Sequence, residues 1–342
     1  MGRYFLAYVI PAGAALGMYL GGLWSWWTVF LVYVLVPLAD QALGLDRRNP
    51  APASLLPLSR SRVADWPLYL ALPVQVGLIL FLLQAIQNAA PLWVKLGWVV
   101  SVGLSAGGLG IVVAHELVHR RQRFEYWLGK LLLMTVLYMH FAIEHVRGHH
   151  ARVATDADPA SARLGQSVYG FVVQSVWRQW PSAWQLEVER LQKKSLPVWS
   201  LHNEMLGMVL CQGVWLAGIG FFFGMSGLLT AISVAVIAFT LLEVVNYVEH
   251  YGLRRKLDAA GRLEPVRSHH SWNSDHRMSR ILLFELPRHT DHHMNGSRPY
   301  QTLHSVEGAP QLPAGYPAMV LLALIPPLWF RIMNPRVAAV ST

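Results

Sequence analysis

The sequence has little cysteine, little charge and few acidic residues. Cys211 is its single cysteine in 342 residues, which excludes a disulfide framework, a CxxC pair and a cysteine-ligated iron–sulfur cluster within the chain. Charged residues make up 14% of the chain, whereas a soluble domain usually carries about 25%. Basic residues outnumber acidic ones, 28 to 19. This composition excludes an ordinary soluble protein.

Long apolar runs take the place of the missing charge. A membrane-spanning helix needs roughly 20 apolar residues. The chain therefore predicts an all-α, polytopic integral membrane protein with six transmembrane helices, at residues 5–23, 25–44, 67–87, 93–114, 207–227 and 229–250. The first run lacks the short apolar core and small-residue cleavage site of a signal peptide, so we assign it as the first span.

The distribution of lysine and arginine predicts the orientation, because these residues collect on the cytoplasmic side. On this topology only Lys95 falls on the opposite side. We therefore expect one membrane-embedded domain, residues 1–342, in the cytoplasmic (inner) membrane. Both termini would be cytoplasmic, and residues 115–206 and 251–342 would form a cytoplasmic cap. Topology and contact with anionic lipid account for the positive charge, so no nucleic acid partner is expected.

Histidines collect at the same side of this topology. The segments HELVH, EHVRGHH, NYVEHYGL and RHTDHH all fall at cytoplasmic helix ends or in cytoplasmic loops. In the first, the two histidines are four residues apart and share a helix face. The predicted metal ligands are His115, His119, His145, His149, His150, His250, His289, His292 and His293.

The clustering constrains two further apolar stretches. Residues 127–143 separate histidine groups that must meet, so we expect an interfacial or re-entrant helix there and not a span. Residues 317–330 are short and interrupted by Pro326 and Pro327, so they too are expected to be interfacial.

Nine histidines are too many for one metal ion, which takes about four ligands in a structural site, and fit two. Imidazole suits zinc, copper, iron and nickel. Two structural zinc ions or two redox-active irons would both explain the count. HELVH also matches the HExxH pattern of zinc proteases, but that role leaves seven histidines unused. A metal transporter would place its ligands along a path through the membrane, whereas these lie at one face.

Read together, the boxes HxxxH, HxxxHH and HxxHH resemble the histidine-box superfamily of membrane di-iron enzymes. The longer segments HELVHR, EHVRGHH, NYVEHYGL and LPRHTDHHMNGSRPYQ, with HHSWNSDH, are similar to the signatures of integral-membrane alkane hydroxylases (alkane 1-monooxygenases). The resemblance covers residues 100–336, and more loosely the first two spans. One departure is Arg120, where the family often has lysine.

This resemblance implies O2-dependent terminal hydroxylation of n-alkanes to primary alcohols at two non-haem irons. The nine histidines would be the ligands, with no catalytic residue beyond them. The substrate would come from the bilayer. An alternative within the superfamily is a desaturase or hydroxylase of acyl chains or aromatic methyl groups. A metal transporter or structural zinc membrane protein is the alternative from another class.

Polar residues near the boxes could orient the histidine rings, since a metal-bound imidazole usually donates its second N–H to an acceptor. Our candidates are Glu116, Glu144, Glu243, Asn246, Glu249 and Asp291. A small-residue run ahead of the first box contains Gly107 and Gly108. These two glycines could serve close helix packing or form a slot for the hydrocarbon chain.

The electrons must come from outside, because the chain has no cysteine set for an iron–sulfur cluster and no dinucleotide fingerprint. The resemblance implies rubredoxin as the donor, fed by a rubredoxin reductase. An acidic carrier could be attracted by basic residues on the predicted cytoplasmic face. Orientation in the membrane explains the same residues equally well: Arg120, Arg121, Arg123, Arg254, Arg255 and Lys256.

Overall fold

The computed structural model describes residues 2–341, and helices dominate it. Named strands are absent from the described residues, which form three isolated bridges only. The all-α prediction is confirmed. The main helices are α1 (Val9–Leu20), α2 (Gly22–Leu43), α3 (Pro52–Ser59), α4 (Arg62–Ala85), α5 (Leu92–Val118), α6 (Arg123–Thr135), α7 (Val168–Lys193), α8 (Glu204–His250), α9 (Arg277–Leu282), α10 (His289–Met294), α11 (Tyr316–Ala323) and α12 (Pro326–Ser341).

Four of these helices are long and apolar enough to cross a membrane: α2, α4, α5 and α8. Together they identify a membrane protein. The bent pair α11–α12 would raise the number to five if it forms one span. The six separate spans of the prediction are not observed as such, for two reasons. The first predicted span begins with a 3-10 helix, Gly2–Tyr8, and leaves only 12 residues in α1. The fifth and sixth are joined in α8.

Helix α8 has 47 residues, which is about 70 Å of straight helix against a hydrocarbon core of about 30 Å. It is broken at Gly224, where φ is 63° and ψ is −164°. A positive φ of this kind is readily adopted by glycine alone. The break lies close to the boundary between the fifth and sixth predicted spans, residues 207–227 and 229–250.

The apolar stretch 127–143 is only partly helical. Helix α6 begins earlier, at Arg123, and ends at Thr135, and Leu137 then has a φ of 56°. The helix packs back on α5: a Cβ placed on Gly129 would lie 3.1 Å from the carbonyl oxygen of Ala114. Helix α6 therefore runs back along α5, away from its histidine-bearing end, and after the turn at Leu137 the chain returns to that end, where the ring centroid of His145 lies 4.5 Å from that of His115. Its position at the membrane interface stays a prediction.

The C-terminal stretch is broken as its two prolines predict. Helices α11 and α12 meet at an angle of 119°, so residues 317–330 do not form one straight span. Helix α7 was not anticipated. It begins at the N-cap Ser167, whose hydroxyl accepts from the Gly170 N–H, and it packs along α8 through Phe171 and Tyr247.

Candidate metal centre

The nine predicted ligands converge from four helical segments. His115 lies in the last turn of α5, and His119 follows that helix directly. The segment Glu144–His149 is a π-helix, a wider turn that is often found at functional sites. Helix α8 ends at its ligand, and α10 carries the last three.

The histidines fall into two groups. Group one contains His115, His119, His145 and His292, and group two contains His149, His250, His289 and His293. Within each group, one nitrogen of every ring lies within 4.8 Å of the others. His150 belongs with group one, because its Nε2 lies 2.9 Å from Nε2 of His292 and 3.2 Å from Nε2 of His145. The division is therefore five and four.

The ring nitrogens suit metal ions better than each other. In group two, Nε2 of His289 lies 3.1 Å from Nε2 of His250 and 3.0 Å from Nε2 of His293. Each ring nitrogen of a neutral imidazole either donates one hydrogen bond or accepts one. Nε2 of His289 therefore cannot form good hydrogen bonds with both of its neighbours. In group one, Nε2 of His115 and Nε2 of His119 are buried without any hydrogen-bond partner. These converging lone pairs fit bound cations.

Burial keeps most of the rings neutral, which is the form that binds metal. It lowers the pKa of His119 to about 4 and places that of His145, His292 and His293 well below the ordinary value. His149 differs: burial opposes its protonation, but the carboxylate of Asp158 outweighs it and raises the pKa. A cation on Nε2 would hold His149 in its neutral Nδ1–H form.

Asp158 orients that ring. His149 Nδ1 donates to Asp158 Oδ2 across 2.9 Å, and the carboxylate also accepts from Ser161. This is the usual acceptor of a metal-bound histidine. Sequence reasoning missed Asp158, because it lies in a polar loop eight residues beyond the last histidine of its box. Nothing in the sequence distinguishes it from Asp156, whose side chain is 73% exposed.

Four of the proposed orienting residues have other partners. Glu116 accepts from Arg120 and from the Tyr300 N–H. Glu144 accepts from Arg152 and Ser182, and burial raises its pKa to about 7. The remaining two are Asp291, which accepts from Arg298 and the His304 N–H, and Asn246, which donates to Glu243.

Glu249 and Glu243 occupy different places along α8. Glu249 Oε2 lies 3.3 Å from His289 Nε2, while its other oxygen accepts from Tyr316. Among the six proposed orienting residues, all of which lie within the described residues 2–341, only Glu249 has a carboxylate oxygen within 4 Å of a nitrogen of a predicted ligand. Glu243 lies deeper and accepts hydrogen bonds from Tyr138, Ser175, Gln179 and Asn246.

An apolar cavity leads to the histidines. Its wall includes His115, His145 and His289, which represent both groups. Most of the remaining wall is aliphatic, from α2, α5, α8, the Leu282–Leu286 segment and α11. Such a space can hold a hydrocarbon chain with one end at the metal centre.

The two glycines of the small-residue run both line this cavity. A Cβ on Gly107 would lie 3.0 Å from the Ala238 carbonyl oxygen and 3.1 Å from Leu241, so this position packs against α8. A Cβ on Gly108 would meet nothing within 4 Å. Of the two roles considered for the run, Gly107 serves close helix packing, whereas Gly108 faces open space in the cavity.

A third histidine cluster lies outside the two groups. It contains Glu264, His269 and His270. Both ring nitrogens of His270 are engaged, Nδ1 with the Arg267 N–H at 2.9 Å and Nε2 with Glu264 at 3.2 Å. The HHSWNSDH segment therefore serves as loop scaffold at this position.

Comparison with known proteins assigns the family. The family model described as fatty acid desaturase matches residues 90–323. An alkane 1-monooxygenase of Pseudomonas aeruginosa is 41% identical over 92% of this chain and 85% of the relative. A second from the same organism is 42% identical over 92% of this chain and 84% of its own length. The chain belongs to the alkane 1-monooxygenase family.

A related enzyme named for a different substrate is more distant. The xylene/toluene monooxygenase hydroxylase component of Pseudomonas putida is 32% identical over 97% of this chain and 87% of the relative. The family resemblance inferred from the histidine boxes is thus confirmed. With the two histidine groups, membership implies a metal centre, a hydrophobic substrate and redox partners.

Proposed function

We propose that this chain hydroxylates n-alkanes at the terminal carbon. The reaction consumes the alkane, O2, two electrons and two protons, and yields a primary alcohol and water. One observation carries the proposal: the apolar cavity ends on His115, His145 and His289, from both histidine groups. Alkane 1-monooxygenases at 41% and 42% identity support the same reaction.

We infer that the two histidine groups hold one iron each, five histidines on one and four on the other. Iron supplies the redox chemistry that activates O2, which zinc lacks. The nine ligands are His115, His119, His145, His150 and His292 in group one, and His149, His250, His289 and His293 in group two.

The remaining residues would orient and enclose the substrate. The aliphatic wall excludes water, so a methyl group can approach the centre without a desolvation cost. Phe141 stacks on His145, with ring centroids 4.6 Å apart, and lines the cavity near the centre. Glu249, held by Tyr316, places a carboxylate beside His289. Gly108 keeps the middle of the cavity open.

The inner membrane, with the cap on its cytoplasmic side, is the location we propose. The substrate would enter from the bilayer. Rubredoxin, reduced by its own reductase, would supply the electrons from the cytoplasm, because the chain has no cysteine set that could hold a redox cluster of its own.

Product analysis tests this proposal. The chain is expressed with rubredoxin and its reductase, octane and hexadecane are fed separately, and the products are identified by gas chromatography. The expected product is the primary alkanol, lost in His150→Ala and retained in His202→Ala, since His202 is an exposed histidine away from both groups. Metal analysis of the purified wild type is expected to give two irons per chain.

A folded, iron-loaded protein that forms no alkanol would contradict the proposal. Aromatic methyl groups and acyl chains would then be the substrates to test, starting with toluene, because one relative is a xylene/toluene hydroxylase component. Two zinc ions without O2 consumption would instead support a structural metal site.

A further inference from the structure

Two of the nine histidines come close to the surface. His119 and His150 are part-exposed, whereas the other seven are buried. The chain at Gly296 covers both. A Cβ placed there would lie 3.1 Å from Cε1 of His150 and 3.7 Å from Cε1 of His119. The backbone at Gly296 therefore lies directly against both rings, with no side chain between.

An open groove of about 1120 Å3 lies on the outer side of this cover. Helix α3 forms one wall and residues 294–302 form the other. Apolar side chains face the solvent here: Leu56 is 59% exposed and Met294 is 45% exposed. A groove of this kind, with a mixed polar and apolar lining and an open mouth, suits a protein partner better than a small solute.

The groove lies beside the end of α5. The Tyr300 N–H donates to Glu116, which ties residues 294–302 to that helix. Arg120 also contacts Asp65 at 3.5 Å, so the turn after α5 adjoins the first turn of α4. Exposed arginines surround this junction, and none of them forms an ion pair or donates a side-chain hydrogen bond to the described residues: Arg60, Arg62, Arg121 and Arg123.

The other basic cluster from the sequence differs. Arg255 donates to the carbonyl oxygens of Glu264 and Ala151, and Arg254 donates to its own neighbour. These guanidiniums hold loops together. Of these two clusters, the four arginines beside the groove are the ones whose side chains are not engaged in holding loops, and an acidic surface could meet them there.

We propose that this groove, lined by Leu55, Leu56, Met294 and Gly296 and flanked by the four arginines, is the docking surface of the electron carrier, a small acidic one-electron redox protein. Electrons would enter across Gly296 to His150 and His119. The inference rests on the proposed function, which consumes two electrons per turnover. Electron transfer slows steeply with distance, and Gly296 lines this groove while lying directly against the rings of His150 and His119.

Each carrier molecule would deliver one electron, leave oxidised and be replaced by another. The interface must therefore be transient, in the small class typical of redox encounters. Charge at its rim would act mainly on the association rate and its dependence on salt.

A binding measurement tests the proposal without depending on turnover. The purified full chain in detergent is titrated with rubredoxin, and Kd is measured at low and high salt. The double variant Arg121→Glu, Arg123→Glu is expected to raise Kd about tenfold or more at low salt and to reduce the salt dependence. Leu56→Glu should also raise Kd, whereas Leu56→Lys, of similar length and opposite charge, should not.

Arg262→Glu is the matched control, because Arg262 is an exposed arginine in a hairpin away from the groove and its ion pair with Asp258 is solvent-exposed. It should leave Kd within about twofold of the wild-type value. In the groove variants, rubredoxin-driven turnover should fall relative to the single turnover obtained after reduction with dithionite, which needs no docking.

Equal Kd values for the wild type, Leu56→Glu and the double arginine variant would overturn the docking proposal. So would a wild type that does not bind rubredoxin. If dithionite-reduced protein still hydroxylates octane in either case, the proposed function stands and only the docking surface is wrong. If it does not, the proposed function fails as well.

Discussion

Asp158 Oδ2 lies 2.9 Å from Nδ1 of His149, and both side chains are almost completely buried. The carboxylate fixes the proton on Nδ1 and leaves Nε2 directed at the other rings of group two. Orienting acceptors of this kind change metal affinity although they do not touch the metal.

Asp158→Asn is expected to lower metal affinity about 10- to 100-fold, because an amide orients the imidazole less strongly and does not enhance its basicity. Iron retained after stepwise dialysis against a chelator, measured per chain, tests this. Asp156→Asn is the control, since its side chain is 73% exposed. Equal iron retention in both variants would remove Asp158 from the metal centre.

Gly108→Leu is expected to shorten the range of alkanes that the chain accepts. The added side chain would enter open space in the cavity, about 10 Å along the helix from His115. Turnover of hexadecane should fall more than turnover of octane, measured as alkanol formed from each. An unchanged ratio of the two rates would show that the substrate does not pass Gly108.

Gly107→Leu should behave differently, because Ala238 and Leu241 leave no room for a side chain. Overpacking of this kind costs typically about 1–3 kcal/mol. Thermal unfolding in detergent should therefore shift to lower temperature. A stable Gly107→Leu protein with altered chain-length preference would contradict the packing role.

Glu243 accepts hydrogen bonds from three parts of the chain: Tyr138, residues of α7, and Asn246 of its own helix. Glu243→Leu should destabilise the protein by about 1–3 kcal/mol, since it leaves buried donors without an acceptor. Iron content then separates two roles. Iron lost in proportion to unfolded protein indicates a structural carboxylate, whereas a folded, iron-poor protein would place Glu243 in the support of the metal centre. Glu189→Leu, at an exposed position of α7, is the control.

Glu187 should contribute to stability in a pH-dependent way. Burial alone would raise its pKa, but hydrogen bonds from Arg190, the Glu204 N–H and Arg147 outweigh burial and hold the pKa below the ordinary 4.5. A depressed pKa in the folded state stabilises the protein above pH 4.5, and this contribution disappears as the pH falls through the folded pKa.

Glu187→Gln should therefore lower the unfolding temperature at pH 7 and reduce the loss of stability on acidification below pH 4.5. Thermal unfolding at a series of pH values measures both effects. If the difference in unfolding temperature between wild type and variant is the same at every pH, the charge of Glu187 is not involved.

The sequence was sufficient for the helical class and for the convergence of the four histidine boxes, because apolar runs and histidine spacing are local patterns. The division of the histidines could not be read from it. His149 and His150 are adjacent and face different groups, because successive side chains on a helix do not share a face, but the spacing does not say which histidine joins which group.

The support of the ligands was also beyond sequence reasoning, because Asp158 reaches His149 through a loop fold that depends on tertiary contacts and not on composition. The fifth and sixth spans were separated on the apolar runs, and the backbone break at Gly224 lies close to their predicted boundary. Gly107 and Gly108 are adjacent and chemically identical, and only the position of α8 distinguishes their surroundings.

The incorporation of 18O from 18O2 into the product is the most direct test of terminal alkane hydroxylation by this chain. Iron-loaded protein, supplied with rubredoxin, its reductase and NAD(P)H, is given octane under 18O2, and the alcohol is analysed by mass spectrometry. Terminal hydroxylation by this chain predicts 1-octanol with one 18O atom in its hydroxyl group. Alcohol that carries oxygen from water, or no alcohol from folded and iron-loaded protein, would contradict terminal hydroxylation by this chain.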